Sequence, residues 1–288
     1  MVSNGHQLKH DPRTLCRSLF ERSKRWGVAA LSCGLCVFAL GVIVILFEVI
    51  PKIAPFLIAL LSVASEIFHW QSNRIKDMAE AILRKLDWRD SFGWQISRDE
   101  MSDWLVRVPS SIKKKLPTAD PGQEYFASGE DVGPKRAIEN LQESAWWSKH
   151  MAERAAQICL WTTCIIVASS LAILIISIQT IRDFDTLSNI GRVVTSAIVI
   201  IFSRGLFRLT VSYYKFSREA EHVEVRAKHL IGSGPIDEIQ VIKLVYEYQL
   251  NRATAPLIPT WVWKSKRADL NELWREYRQQ SGVNGIVK

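Results

Sequence analysis

Two long stretches without a charged residue constrain this chain more than any other feature. Gly27 to Phe47 (GVAALSCGLCVFALGVIVILF) runs for about 21 residues and Ala155 to Ile181 (AAQICLWTTCIIVASSLAILIISIQTI) for about 27. At roughly 1.5 Å per residue, each is long enough as a helix to cross about 30 Å of hydrocarbon. The mean hydropathy of the whole chain is close to zero, because these apolar blocks alternate with ordinary charged sequence. That alternation is the pattern of a multi-span membrane protein with soluble parts. The first block exceeds a signal-peptide core and lacks a small-x-small exit, so it is expected to remain as a span.

Two shorter apolar runs follow the long ones. Ile53 to Ser65 is uncharged for about 13 residues before Glu66, and Val193 to Ser203 for about 11 before Arg204, lengths that also suit a buried or re-entrant helix. If both cross, the chain makes two hairpins, Gly27 to Phe68 and Ala155 to Tyr213, with short outer turns at Glu48 to Lys52 and Arg182 to Arg192. Basic residues favour that arrangement. The arm before Trp26 holds Lys9, Arg13, Arg17, Arg22, Lys24 and Arg25, whereas the first outer turn holds only Lys52, which places the arm, the middle segment and the tail together in the cytoplasm. The expected fold is an all-α integral membrane protein with two transmembrane helical hairpins, four spans in all, extended by amphipathic cytoplasmic helices. The expected segments are a basic arm (1–26), a first hairpin (27–71), a cytoplasmic helical segment (72–154), a second hairpin (155–214) and a cytoplasmic helical tail (215–288).

Outside the spans the signals are local. Ile75, Met78, Ile82 and Leu86 stand at helical spacing, so the second span is expected to continue as an amphipathic helix. Ser97 precedes Glu100 by three residues, a capping-box pattern ahead of a helix that stops before Pro109. Leu116 to Pro134 reads as a loop, and from Ala137 a long helix leads into the third span. The tail is expected to hold a helix running to Gly232–Pro235, another from Pro235 to Asn251, and a last one from Arg267 to Gln280.

Little in the sequence suggests catalysis. "GSGP" at Gly232 to Pro235 fits a helix-ending turn better than a phosphate loop. Cys33 and Cys36 form a C-x-x-C inside the first span with no second pair, and His222 and His229 lack partners in register, so no metal is expected. No nucleophile motif is recognisable. The chain is therefore expected to have no catalytic residues, no metal and no cofactor, and not to be an enzyme. Nor does the net charge of +8 point to a nucleic-acid polymer: the middle segment balances at 14 basic and 14 acidic residues, and the excess sits in the arm and the tail. Attraction to anionic lipid and control of topology account for it.

Two stretches carry a family likeness. "ENLQESAWWSKHMAERAAQ" (Glu139 to Gln157) places paired tryptophans in a charged helix just before a span. "YQLNRATAPLIPTWVWKSKRADLNELW" (Tyr248 to Trp274) combines an arginine-alanine step, a proline-flanked "PLIP" and an aromatic-lysine run before a closing helix. With the order of two hairpins, cytoplasmic segment and tail, the chain resembles the bacterial four-transmembrane effectors associated with SMODS nucleotidyltransferases. The resemblance implies a pore-forming or membrane-disrupting effector of anti-phage defence (CBASS-like), in the bacterial inner membrane. It further implies activation by a cyclic di- or trinucleotide from a cGAS-like nucleotidyltransferase. It offers no catalytic residues. A small-ion channel or transporter, and a membrane scaffold or sensor that recruits a partner, are the alternatives. Four helices with few polar groups cannot enclose a wide aqueous path alone, so a conducting form is expected to be a homo-oligomer.

Two sets of site residues are expected. Phosphates and purine faces call for cations beside aromatic rings, which the chain offers at Trp146, Trp147 and Lys149 and again at Trp261, Trp263, Lys264, Lys266 and Arg267. Interfacial anchoring or packing is the competing role for these tryptophans. Within the spans, Arg204 lies roughly 16 Å below Val193 and Glu66 roughly 20 Å below Ile53, so a Glu66–Arg204 pair is expected to latch the spans, with Arg208 one turn further in reaching the headgroups. Snorkelling of Arg204 to the interface is the simpler alternative.

Overall fold

A computed structural model describes residues 11–47, 53–113, 126–180, 183–203 and 205–280. About 88% helical, it contains no strand among the described residues. The helices are α1 (Pro12–Phe47), α2 (Ala54–Phe92), α3 (Arg98–Arg107), α4 (Ser110–Lys113), α5 (Pro134–Thr180), α6 (Phe184–Ser203), α7 (Leu206–Gly232), α8 (Glu238–Thr254) and α9 (Thr260–Gln280). They fall into two compact units. Ser23–Asn73 with Glu153–Tyr214 form an apolar unit, and the described parts of Met1–Arg22, Arg74–Ala152 and Lys215–Lys288 form a charged one. Helices α1, α2, α5 and α7 each contribute residues to both.

In the apolar unit α1 and α2 pack antiparallel through small residues. Ser23 Oγ donates to the Ser72 carbonyl at 2.7 Å and Ser72 Oγ returns the bond to the Ser23 carbonyl at 2.8 Å. Two turns on, Ser65 Oγ donates to the Ala30 carbonyl at 3.0 Å, and between them the Trp26 and Phe68 rings meet at 5.2 Å. A Cβ on Gly27 would stand 3.4 Å from Ser72 Oγ, an ordinary van der Waals contact, so the seam runs close to the backbone there without excluding an alanine. Hydroxyl-to-carbonyl bonds between small residues are how helices associate where water is absent.

Two of the described helices, α1 and α5, are long and apolar enough to cross a membrane, and only 11% of the most apolar window of each is buried. Apolar helices left so bare need an apolar solvent. Two hydroxyls of α5 bond their own backbone: Thr163 Oγ1 donates to the Cys159 carbonyl at 2.8 Å and Ser177 Oγ to that of Ile173 at 2.7 Å, which satisfies these groups without water. Of the four expected spans, these two alone meet the length and apolarity of a membrane-crossing helix among the described residues. Helix α2 falls short because its apolar part ends at Glu66, although Phe56, Leu60, Val63, Ile67 and Trp70 leave an exposed apolar row along it. The fourth segment is not one rod. Helix α6 stops at Ser203 and α7 starts at Leu206, and Gly205 between them has φ +81, a left-handed conformation open to glycine and costly for other residues.

The charged unit has a continuous core. Ile138, Leu141 and Ala145 of α5, Ala220 and Val223 of α7, and Val241, Leu244 and Tyr248 of α8 are buried together. The small alanines let α5 and α7 approach while α8 fills the remaining side. Helix α3 opens with the expected capping box: Ser97 Oγ accepts from the Glu100 amide at 3.1 Å, and the Glu100 carboxylate accepts from the Ser97 amide at 3.1 Å. Three boundaries differ from expectation: α6 already starts at Phe184, inside the expected outer turn Arg182 to Arg192, because the Asp183 carboxylate caps it by accepting from the Thr186 amide at 2.8 Å, and two more lie in the tail. Helix α8 starts at Glu238 rather than Pro235, because the Asp237 carboxylate caps it by accepting from the Ile239 amide at 2.9 Å. Helix α9 starts at Thr260 rather than Arg267, since Pro259 supplies the carbonyl that takes its first bond, from Val262 at 3.0 Å.

Candidate functional site

One face of α2 grips the end of α8 with three charges. Lys76, Glu80 and Asp87 recur at intervals of four and seven, which aligns them along one side of a helix. Opposite them Arg252 donates from Nε to Glu80 at 3.1 Å and from a terminal nitrogen to Asp87 at 2.8 Å, while Gln249 donates to Asp87 at 3.2 Å. Lys76 Nζ donates to the carbonyls of Ala253 and Ala255 at 2.7 and 2.6 Å, satisfying acceptors at the negative end of α8. Tyr248 completes the junction: its ring lies 5.5 Å from the Arg252 guanidinium, and its hydroxyl donates to the Ser144 carbonyl at 3.0 Å and pairs with Ser148 at 2.7 Å.

Burial sets the protonation of these groups. It raises the Asp87 carboxyl above its ordinary value, with Arg252 pulling the other way without cancelling it. It lowers the Lys76 ammonium and pushes the Tyr248 phenol up to about 12. Burial would also lower Arg252, but the carboxylates of Asp87 and Glu80 outweigh it, so the guanidinium stays charged. The junction is an almost dry ionic contact whose parts stay in place only together.

A second feature lies between α5 and α9. Trp146 is buried and its ring stands 5.1 Å from that of Trp274, which stacks at 5.3 Å on Tyr277. Lys228 Nζ sits 5.4 Å from the centre of the Tyr277 ring. Beside this wall opens a small niche formed with Glu139, Gln142 and Arg278. One Glu139 oxygen accepts from Ser128 at 2.6 Å. Its other oxygen and the Trp274 indole N–H have no hydrogen-bond partner, although these side chains belong to residues only 8% and 7% exposed. A buried acceptor and a buried donor left open side by side suit a guest that offers one of each.

The residues expected from sequence are distributed unevenly. Trp146 and Trp147 meet edge to face at 5.8 Å, and Lys149 is committed to Glu224 at 2.7 Å. Trp261 and Trp263 are 58% and 37% exposed. Arg267 lies over the Trp263 ring at 4.7 Å, Lys266 pairs with Asp269 at 3.0 Å and Lys264 is exposed. Trp146 packs on the far half of α9, about 20 Å along that helix from Trp261, so the two groups form separate surfaces. Glu66 is exposed. By the register of Ser65 against Ala30 it stands level with Ala29, two residues inside the apolar run of α1. Arg208 is exposed in the first turn of α7. Arg204 lies outside the described residues, and with it the expected Glu66–Arg204 latch.

Sequence reasoning missed Lys76, Glu80, Asp87 and Arg252, and also Glu139 with Trp274. The helical spacing of the first three was visible; that an arginine some 165 residues away answers them was not. No group of histidine, cysteine, aspartate or glutamate side chains that could hold a metal occurs among the described residues. Compared with protein-family models, curated proteins and solved structures, the chain finds no significant match.

Proposed function

We propose that this chain is a signal-gated effector that permeabilises the membrane crossed by α1 and α5. The observation that carries the reading is the buried junction between α2 and α8. Helix α2 is continuous from Ala54 to Phe92, so a displacement of α8 that disturbs Arg252 is applied to the same rod that packs beside α1 through Ser65 and Ser72. Buried ionic contacts of this kind are stable when complete and fail when one partner leaves, which gives a rest state and a released state. The antiparallel seam and the exposed apolar row on α2 support a second crossing, and with α6 and α7 returning beside α5 the reading is four spans with both ends in the cytoplasm.

In this reading the signal is a cyclic di- or trinucleotide, as the family resemblance implies, the setting is anti-phage defence at the bacterial inner membrane, and the conducting form is a homo-oligomer. The niche by Trp146 is its contact point: the open Glu139 oxygen and the Trp274 N–H complement the mixed donor and acceptor edge of a base, and Lys228 and Arg278 supply positive charge for phosphate. The test is dye release from proteoliposomes holding the full chain, challenged with a panel of cyclic di- and trinucleotides. Release with one or a few of them and none without is expected, and Glu139→Gln should weaken the response. Release that is constant in all conditions, or absent with every nucleotide, overturns the reading.

A further inference from the structure

We propose that the first two turns of α9 form a docking surface for anionic lipid headgroups. Helix α9 buries one stripe, Val262, Leu270 and Trp274, in the charged unit. That orientation leaves Trp261, Trp263, Lys264 and Arg267 outside. Two large, half-wet aromatic side chains interleaved with free cations, and no acidic residue in the first turn, match the make-up of a helix lying in a lipid interface. There the rings sit at the headgroup level and the cations meet phosphate.

The start of α9 is held against the charged part of α1. Thr260 Oγ1 stands 3.5 Å from both carboxylate oxygens of Glu21, and Glu21 precedes the apolar run at Gly27 by six residues of the same helix. Arg267 over the Trp263 ring holds the indole and the charge as one unit. The inference depends on α1 crossing a bilayer and is independent of whether the chain is gated by a nucleotide.

The experiment places p-benzoylphenylalanine at position 261, and separately at position 273, in the full chain. Leu273 is half exposed on the other end of α9 and serves as the control. Each protein is reconstituted in phosphatidylethanolamine vesicles containing phosphatidylglycerol, irradiated, and analysed by mass spectrometry for lipid adducts. An adduct to phosphatidylglycerol is expected at 261 and not at 273, and Lys264→Glu with Arg267→Glu should reduce the 261 adduct to the control level while helical content is unchanged. Equal labelling at both positions, crosslinks only to a second protein copy, or no lipid adduct at 261 would each overturn the proposal. Dye release in the same vesicles reports separately on gating.

Discussion

Arg252 is the residue whose loss the rest of the charged unit can least absorb. Removing it leaves the buried Glu80 and Asp87 without the guanidinium that pairs them, a situation that costs about 3–5 kcal/mol. Arg252→Ala is therefore expected to lower the unfolding midpoint markedly in detergent, whereas Asp87→Asn should be tolerated. The pH dependence of stability tests the Asp87 carboxyl. The folded-state pKa of Asp87 lies above its unfolded value, so the folded protein binds that proton more tightly. Its contribution to stability is greatest below the unfolded value and is lost as pH rises through the raised one. The unfolding midpoints of wild type and Asp87→Asn should consequently converge in acid, with the wild type falling behind towards neutral pH. A gap that is largest in acid would contradict this.

Among the elements, the break between α6 and α7 is the most informative. A glycine in the middle of an apolar run is tolerated by a straight helix, yet Gly205 adopts φ +81 and splits the segment. The interruption stands just before Arg208, which is exposed, and backbone groups freed from a helix need access to water or other partners. Gly205→Ala forces a Cβ into the left-handed region and is expected to cost about 1–2 kcal/mol, with Gly205→Asn milder. Thermal unfolding followed by helical circular dichroism in detergent measures both. Identical midpoints for glycine, alanine and asparagine would mean that the helix straightens there without penalty.

For the whole molecule, the exposed surface limits what one copy can do. The polar side chains on the apolar part of α5, Thr163 and Ser177, are turned onto their own backbone. Thr210 at the start of α7 does the same, donating to the Leu206 carbonyl at 3.0 Å. These three hydroxyls are thus not offered to a water path, and the proposed conducting form is expected to be several copies arranged around a common axis. Native mass spectrometry or chemical crosslinking in nanodiscs should find a closed oligomer in every sample that conducts. A strictly monomeric sample that conducts in planar bilayers would refute this.

Much of this architecture is local and so was legible in the residues. The two long spans follow from charge-free length, the capping box at Ser97 from its spacing to Glu100, and the amphipathic continuation of α2 from Ile75, Ile82 and Leu86, because each depends only on neighbours along one helix. What the tertiary structure decided depends on which faces meet. Lys76, Glu80 and Asp87 read as an ordinary solvated stripe until Arg252 is brought opposite them, and Trp146 reads as a surface tryptophan until Trp274 and Tyr277 cover it. The environments of Trp261 and Trp146 diverge for the same reason: their sequence contexts are alike, cation and aromatic together, but packing against Trp274 encloses Trp146 and Trp261 stays exposed. Backbone conformation at a single glycine was equally out of reach, since the preference of Gly205 for the left-handed region is a permission that only the packing of α6 and α7 converts into a break.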